Sequence, residues 1–211
     1  MRLSSSNERW EAGRLLTLTD GVFAIVMTLM VLDIRIQEGL DHQQFLHSLR
    51  EIWRNVLYYL LSFLILSKIW IGHHCRFNAI AQVDRVFVGL SLASLALIAL
   101  VPALTNLVGD YPHEPLAGMS YCGLFFLIGV IDFWGWEYAL DRGHLMADKL
   151  CEDDVRTWTF VRLALPTIAL ICFALAIFIP AEALYVFLGL TIVAPFLRRW
   201  FNPPRPASPS S

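Results

Sequence analysis

Charge is scarce in this chain. Only 16% of its 211 residues are Asp, Glu, Lys or Arg, while 57% are hydrophobic and the mean hydropathy is +0.58. A soluble domain of this length has no use for that much apolar surface, so long uncharged runs make the chain an integral membrane protein. Net charge is scarce as well: a formal −2 at pH 7 gives a nucleic-acid partner no electrostatic support. Cysteine is sparse and scattered. Cys75, Cys122, Cys151 and Cys172 stand singly, with no C-x-x-C pair, which removes the common zinc and dithiol patterns. All four fall in spans or on the side assigned below to the cytoplasm, so disulfides are not expected. A cleavable leader is not expected either, because the apolar run from Leu15 is too long and no small-residue cleavage site follows it.

What the chain has instead is apolar runs. A helix crossing about 30 Å of hydrocarbon needs roughly 20 residues. Six candidate spans meet or approach that length: Leu15–Ile34, Asn55–Gly72, Val86–Leu107, Leu116–Tyr138, Phe160–Ile179 and Ala183–Leu197. The last two are separated only by Pro180, Ala181 and Glu182, which predicts a tight helical hairpin with a short final span. Between the first two, QEGLDHQQFLHSLREIWRN is polar and amphipathic and predicts a segment lying on the membrane surface. The predicted fold class is all-α: an integral membrane domain of six transmembrane helices over residues 1–200. A Pro/Ser-rich tail over 201–211 is predicted to be disordered.

Lys and Arg set the orientation. With a cytoplasmic N-terminus, every basic residue except Arg35, Arg50 and Arg54 falls on the inner side, and the third and fifth connections contain none. Both termini are therefore expected in the cytoplasm, and the protein in the cell membrane. This topology gathers distant residues into one layer of the inner leaflet. Asp20 lies about 9 Å above Arg14, at 1.5 Å per residue. Lys68, Trp70, His73 and His74 occupy the inner end of the second span, and Asp132 lies past the midpoint of the fourth. Arg14 and Asp20, six residues apart, do not share a helix face, so each must find its partner on another helix. Lys68 reads as a lysine snorkelling to the headgroups, and Trp134, Trp136, Tyr138 and Trp158 as an inner aromatic belt. His73, His74 and Cys75 diverge by about 100° per residue with no further ligand cluster. Hydrogen bonding, not metal binding, is expected of the histidines, and no metal or cofactor is implied.

RLLTLTDGVFAI, Arg14 to Ile25, resembles the first-helix signature R-x-x-x-F-S-D-G-V-F-A-I of the transmembrane protein 175 family of potassium channels. WIGHHCRF, Trp70 to Phe77, is similar to the W-x-x-H-H stretch that ends that family's second helix. The chain departs from the signature at Leu18, where the family has Phe, and at Thr19, where it has Ser; Thr19 keeps the hydroxyl. The resemblance implies a homotetramer with four copies of helix 1 around a central pore. It further implies a constriction of apolar side chains at Ile25 and Leu32, with a threonine ring at Thr28 in some bacterial members. Neither a P-loop nor a TVGYG filter is present. Independently, residues 25, 28 and 32 are spaced i, i+3, i+7, a single helical stripe that Gly21 extends inward. Taken without the resemblance, such a trio is more often packing or lipid contact. Asp20 is off this stripe. With Arg14 and Thr19 it reads as a polar lock holding helix 1 to its neighbours through Trp70 and His73 or His74.

The expected function is a potassium-selective cation channel whose hydrophobic neck strips part of the ion's hydration shell. Asp33, Glu38 and Asp41 would raise the local cation concentration at the outer mouth. The alternative is a proton pathway or proton-coupled transporter using Asp20, Asp132 and the histidines. Against a transporter, the chain shows no inverted repeat and no pair of broken spans. An enzyme is not expected, since no activated nucleophile or metal-spaced residue set is apparent. For Thr28 the bland reading is a hydroxyl bonded back to the carbonyl of Ala24.

Overall fold

The structure, a computed structural model, describes residues 10–35, 39, 41–80, 82–142 and 152–201. Six helical spans follow one another. The first is α1 (Ala12–Leu29), continued by a single 3-10 turn (Met30–Asp33). The second is α2 (His42–Ala79). The third is made of two pieces, α3 (Arg85–Ile98) and α4 (Val101–Asp110). Then come α5 (Pro115–Asp141), α6 (Glu152–Leu175) and α7 (Pro180–Phe201). Ala12–Leu32, His42–Phe77, Arg85–Asp110 and Pro115–Asp141 are each long and apolar enough to cross a membrane. The last two helices contribute shorter apolar stretches, Leu163–Leu175 and Pro180–Thr191. The protein is an all-α membrane protein, as its hydropathy predicts. The predicted tail beyond Phe201 lies outside the described residues.

Local chemistry accounts for the ends. Asp41 caps α2 by accepting from the Gln44 N–H at 2.8 Å, while Gln44 Oε1 accepts from the Asp41 N–H at 3.1 Å. This reciprocal capping box starts the helix well before Asn55. The segment predicted to lie separately on the surface is thus the beginning of the second span, one helix of 38 residues. The third span, predicted as unbroken, is interrupted at Ala99–Leu100, just before Pro102, whose ring carries no N–H for the preceding turn. Pro180 sits at the N-terminus of α7, a position where its missing N–H costs nothing, so the hairpin turn lies at 176–179 and not at 180–182.

α5 is the hub, packed against α3, α4, α6 and α7. It comes close to α6 at Gly129, where a Cβ would stand 2.7 Å from the Pro166 ring. α1 packs on α2, α3 and α4. In hydrocarbon the gain from such contacts is dispersion and polar pairing, because lipid tails are as apolar as the side chains they replace. Trp136, placed by sequence in an interfacial belt, is instead fully buried, whereas Trp134 is 62% exposed. Around the start of α1 a smaller core joins Leu15, Phe77, Ile80, Val83, Phe87 and Ala139. There β1 (Trp10–Glu11) pairs antiparallel with β2 (Gln82–Val83), tying the start of α1 to the α2–α3 connection.

Candidate pore-lining face and its supports

α1 has two unlike faces. Leu15, Thr19, Phe23, Val26 and Met30, spaced by three or four residues, are buried against the rest of the chain. Ile25 at 59% and Leu32 at 56% are exposed, and so are Thr28 and Gly21. Nothing lies within 4 Å of a Cβ built on Gly21. The Thr28 hydroxyl is within 2.9 Å of both the Ala24 and the Ile25 carbonyl oxygens. The back-bond of the bland reading is therefore made. Donating the proton to the backbone leaves both lone pairs of Oγ1 free, so the back-bond leaves the oxygen able to accept. Thr19 also bonds back, to the Leu15 carbonyl at 2.9 Å.

The N-terminal half of α1 is held by two separate polar groups. Trp70 Nε1 donates to Asp20 Oδ1 at 2.8 Å, and the His74 ring lies tilted on Trp70 with centroids 5.8 Å apart. His73 belongs to the other group. Its Nε2–H donates to Asp132 Oδ2 at 2.8 Å, and its Nδ1 accepts from Arg76 Nη2 at 3.0 Å. An arginine can only donate, so Nδ1 carries the lone pair, the proton sits on Nε2, and the imidazole is neutral. Ser94 donates to the other carboxylate oxygen at 2.9 Å, and Arg76 Nη1 stands 3.6 Å from it. The guanidinium, 1% exposed, lies 5.6 Å and 5.4 Å from the ring centres of Phe77 and Phe87. This Arg–His–Asp–Ser cluster is charge-balanced, as burial in hydrocarbon requires. It touches α1 through Phe23, whose ring meets His73 edge-on at 5.5 Å. The lock expected around Asp20 is thus split: Trp70 and His74 lie with Asp20, His73 lies with Asp132, Thr19 turns back on its own helix, and Arg14 is exposed.

Comparison with known proteins decides the family. The family profile described as endosomal/lysosomal potassium channel TMEM175 matches residues 14–102. A potassium channel of Chamaesiphon minutus is 31% identical over 80% of this chain and 86% of its own length. One of Streptomyces collinus is 32% identical over 74% and 77%. The crystal structure of a lysosomal potassium-selective channel TMEM175 homolog from Chamaesiphon minutus superposes with a TM-score of 0.78 at 28% identity. That match covers 88% of this chain and 97% of the other. The chain belongs to the TMEM175 family. Among its TMEM175 relatives, the human one is named an endosomal/lysosomal proton channel; it is 26% identical over 88% of this chain, which spans 38% of the human protein.

Two further polar sites complete this TMEM175 chain. Lys68, expected to snorkel to the headgroups, donates from Nζ to the Thr191 carbonyl of α7. Asp84, between β2 and α3, accepts from the Phe87 N–H at 2.8 Å and from the Tyr138 hydroxyl at 2.5 Å. Burial pushes its carboxyl up, but these two bonds and the nearby Arg142 outweigh that and hold it below the ordinary aspartate value. Sequence reasoning missed Arg76 and Ser94 as partners of Asp132. Arg76 follows His73 by three residues, the spacing that puts both on one helix face, and that was the available signal.

Proposed function

We propose that this protein is a potassium-selective cation channel of the cell membrane. It is read as a homotetramer with both termini in the cytoplasm, four copies of α1 enclosing the conduction path. The observation that carries the reading is the uncovered stripe of Ile25, Thr28 and Leu32, opposite a stripe packed into the chain. The names of the bacterial relatives, both potassium channels, support it. In this reading four Ile25 side chains form a dry neck in which an ion loses part of its water, a loss that costs potassium less than sodium. The free lone pairs of four Thr28 hydroxyls replace some of that water. Leu32 narrows the outer side, Gly21 leaves the inner mouth wide, and the acidic residues Asp33, Glu38 and Asp41 concentrate cations outside. The reading involves no catalytic step and no cofactor.

One observation favours a second reading, a proton pathway: the animal relatives are named proton channels. The inner-leaflet acids and histidines would then carry the proton. Arg76 opposes this, because its bond to His73 Nδ1 occupies the site a relayed proton would need.

Purified protein in planar bilayers separates the two. Under a potassium/sodium gradient at equal pH, the reversal potential should move toward the potassium equilibrium value, and a pH gradient alone should barely move it. Thr28→Val, which keeps shape and removes the oxygen, should still conduct but discriminate less, while Thr28→Ser stays close to the parent. A reversal potential that tracks pH and ignores potassium would put the proton pathway in its place.

A further inference from the structure

The outer end of α1 rests on a group of three hydroxyls that the channel reading leaves without a role. Ser62 of α2, Thr105 of α4 and Tyr121 of α5 are all buried. Ser62 Oγ lies 2.8 Å from Thr105 Oγ1 and 2.8 Å from Tyr121 Oη. Thr105 Oγ1 also lies 2.8 Å from the Val101 carbonyl and 3.9 Å from the sulfur of Met30. Three hydroxyls hold three protons, and one direction fits them. The Val101 carbonyl can only accept, so Thr105 donates to it, Ser62 donates to Thr105 and Tyr121 donates to Ser62; the Met30 thioether has the longer, weaker share of the same Thr105 proton.

Met30 is where α1 changes to a 3-10 turn. It is 3% exposed, while Leu29, Val31 and Leu32 around it are 45%, 46% and 56% exposed. One buried side chain therefore sets the rotation of the turn, and Arg35 closes its far end by donating Nε–H to the Leu32 carbonyl at 2.8 Å. Rotation matters here because a 3-10 residue advances about 120° and an α residue about 100°, so reverting the turn to α would swing position 32 by roughly 60°. Methionine is too adaptable to hold a rotation by shape alone. Its partner Thr105 stands on α4, the half-span separated from α3 by the break at Ala99–Leu100, and α4 is the helix packed against the turn.

We propose that Thr105, backed by Ser62 and Tyr121, is a positioning residue that sets the angle at which Leu32 meets the conduction path. Selectivity at the outer constriction then depends on a hydroxyl chain that touches no ion. The inference rests on the channel reading, since it takes Leu32 as pore-lining.

The test begins with Leu32→Cys in bilayers and a small thiol-reactive cation added from outside. Block of Leu32→Cys, with no effect on the parent chain, places residue 32 in the path; absence of block would overturn the pore reading itself, and this inference with it. In the Leu32→Cys background, Thr105→Val should slow the reaction about threefold, the factor expected for one membrane hydrogen bond, and lower potassium/sodium discrimination by a similar factor. Thr105→Ser should restore both, and Tyr121→Phe should give a smaller change of the same sign. A merely structural role would lower tetramer yield without moving either readout. If Thr105→Val assembles with an unchanged reaction rate and reversal potential, the inference is wrong. Should Thr105→Val fail to assemble, Tyr121→Phe, which removes a single oxygen, decides by the same two readouts.

Discussion

The N-terminal and C-terminal halves of α1 are held by different chemistry. At the N-terminal half stand a carboxylate bonded to an indole and, beside Phe23, a charge-balanced cluster of Arg76, His73, Asp132 and Ser94. At the C-terminal half stand three neutral hydroxyls and a thioether. The two kinds of support fail differently. Removing one member of a buried ion pair leaves the other charge stranded, at a cost of about 3–5 kcal/mol. Removing one hydroxyl in lipid costs about 0.6–2 kcal/mol, because the remaining groups find other partners. The N-terminal half is therefore all-or-nothing, and the C-terminal half is adjustable.

Asp132→Ala should produce the largest effect. It strands the Arg76 guanidinium, so the expected loss is the full few kcal/mol of a broken buried pair, seen as loss of folded protein on size-exclusion chromatography. Replacing both partners together, Arg76→Met with Asp132→Leu, should recover much of the yield, since no charge is left over. If Asp132→Ala alone elutes and melts like the parent, charge is not what holds the N-terminal half. Trp70→Phe comes next. It removes the donor to Asp20 and should destabilise by about 1–2 kcal/mol in thermal unfolding. Combined with Asp20→Ala, which removes the acceptor, the double mutant should cost less than the sum of the two single mutants, because both act on one bond. Fully additive costs would mean that the 2.8 Å contact contributes nothing.

The smallest effect belongs to Asp84, between β2 and α3. Its carboxyl titrates below the ordinary aspartate value because Tyr138, the Phe87 N–H and Arg142 outweigh burial. A group depressed on folding contributes its full stability while both states are ionised. That contribution shrinks as pH falls through the unfolded value, about 3.9, and is gone below the folded one. The melting temperature of the parent should thus drop more between pH 6 and pH 3 than that of Asp84→Asn. Equal drops in the two proteins would remove Asp84 as a source of acid sensitivity.

Much of this arrangement was legible in the sequence. The length of the apolar runs gave six spans, and the resemblance of RLLTLTDGVFAI to a family signature pointed to helix 1. The positions that were misread share a cause. Pairing across helices depends on how each helix is rotated, and hydropathy carries no rotation. So Asp132 stood unexplained although Arg76 and His73 were in view, and Lys68 was sent to the headgroups when α7 offered a carbonyl. Trp136 looked interfacial by type, but its face of α5 turns into the chain. The 3-10 turn at Met30 left no sequence mark, since Met30–Asp33 contains neither glycine nor proline. Asp41 with Gln44 was a readable capping box, and it would have moved the start of the second span outward.

In the proposed channel α1 has one face for the chain and one for the ion. Cysteines placed singly at Phe23, Ile25, Val26, Thr28, Met30 and Leu32, each exposed to a small thiol-reactive cation during recording in bilayers, test this directly. Block at positions 25, 28 and 32, with silence at 23, 26 and 30, is the predicted pattern. Reaction at 23, 26 and 30 with silence at 25, 28 and 32 would contradict it, and would move the conduction path to the other side of the helix.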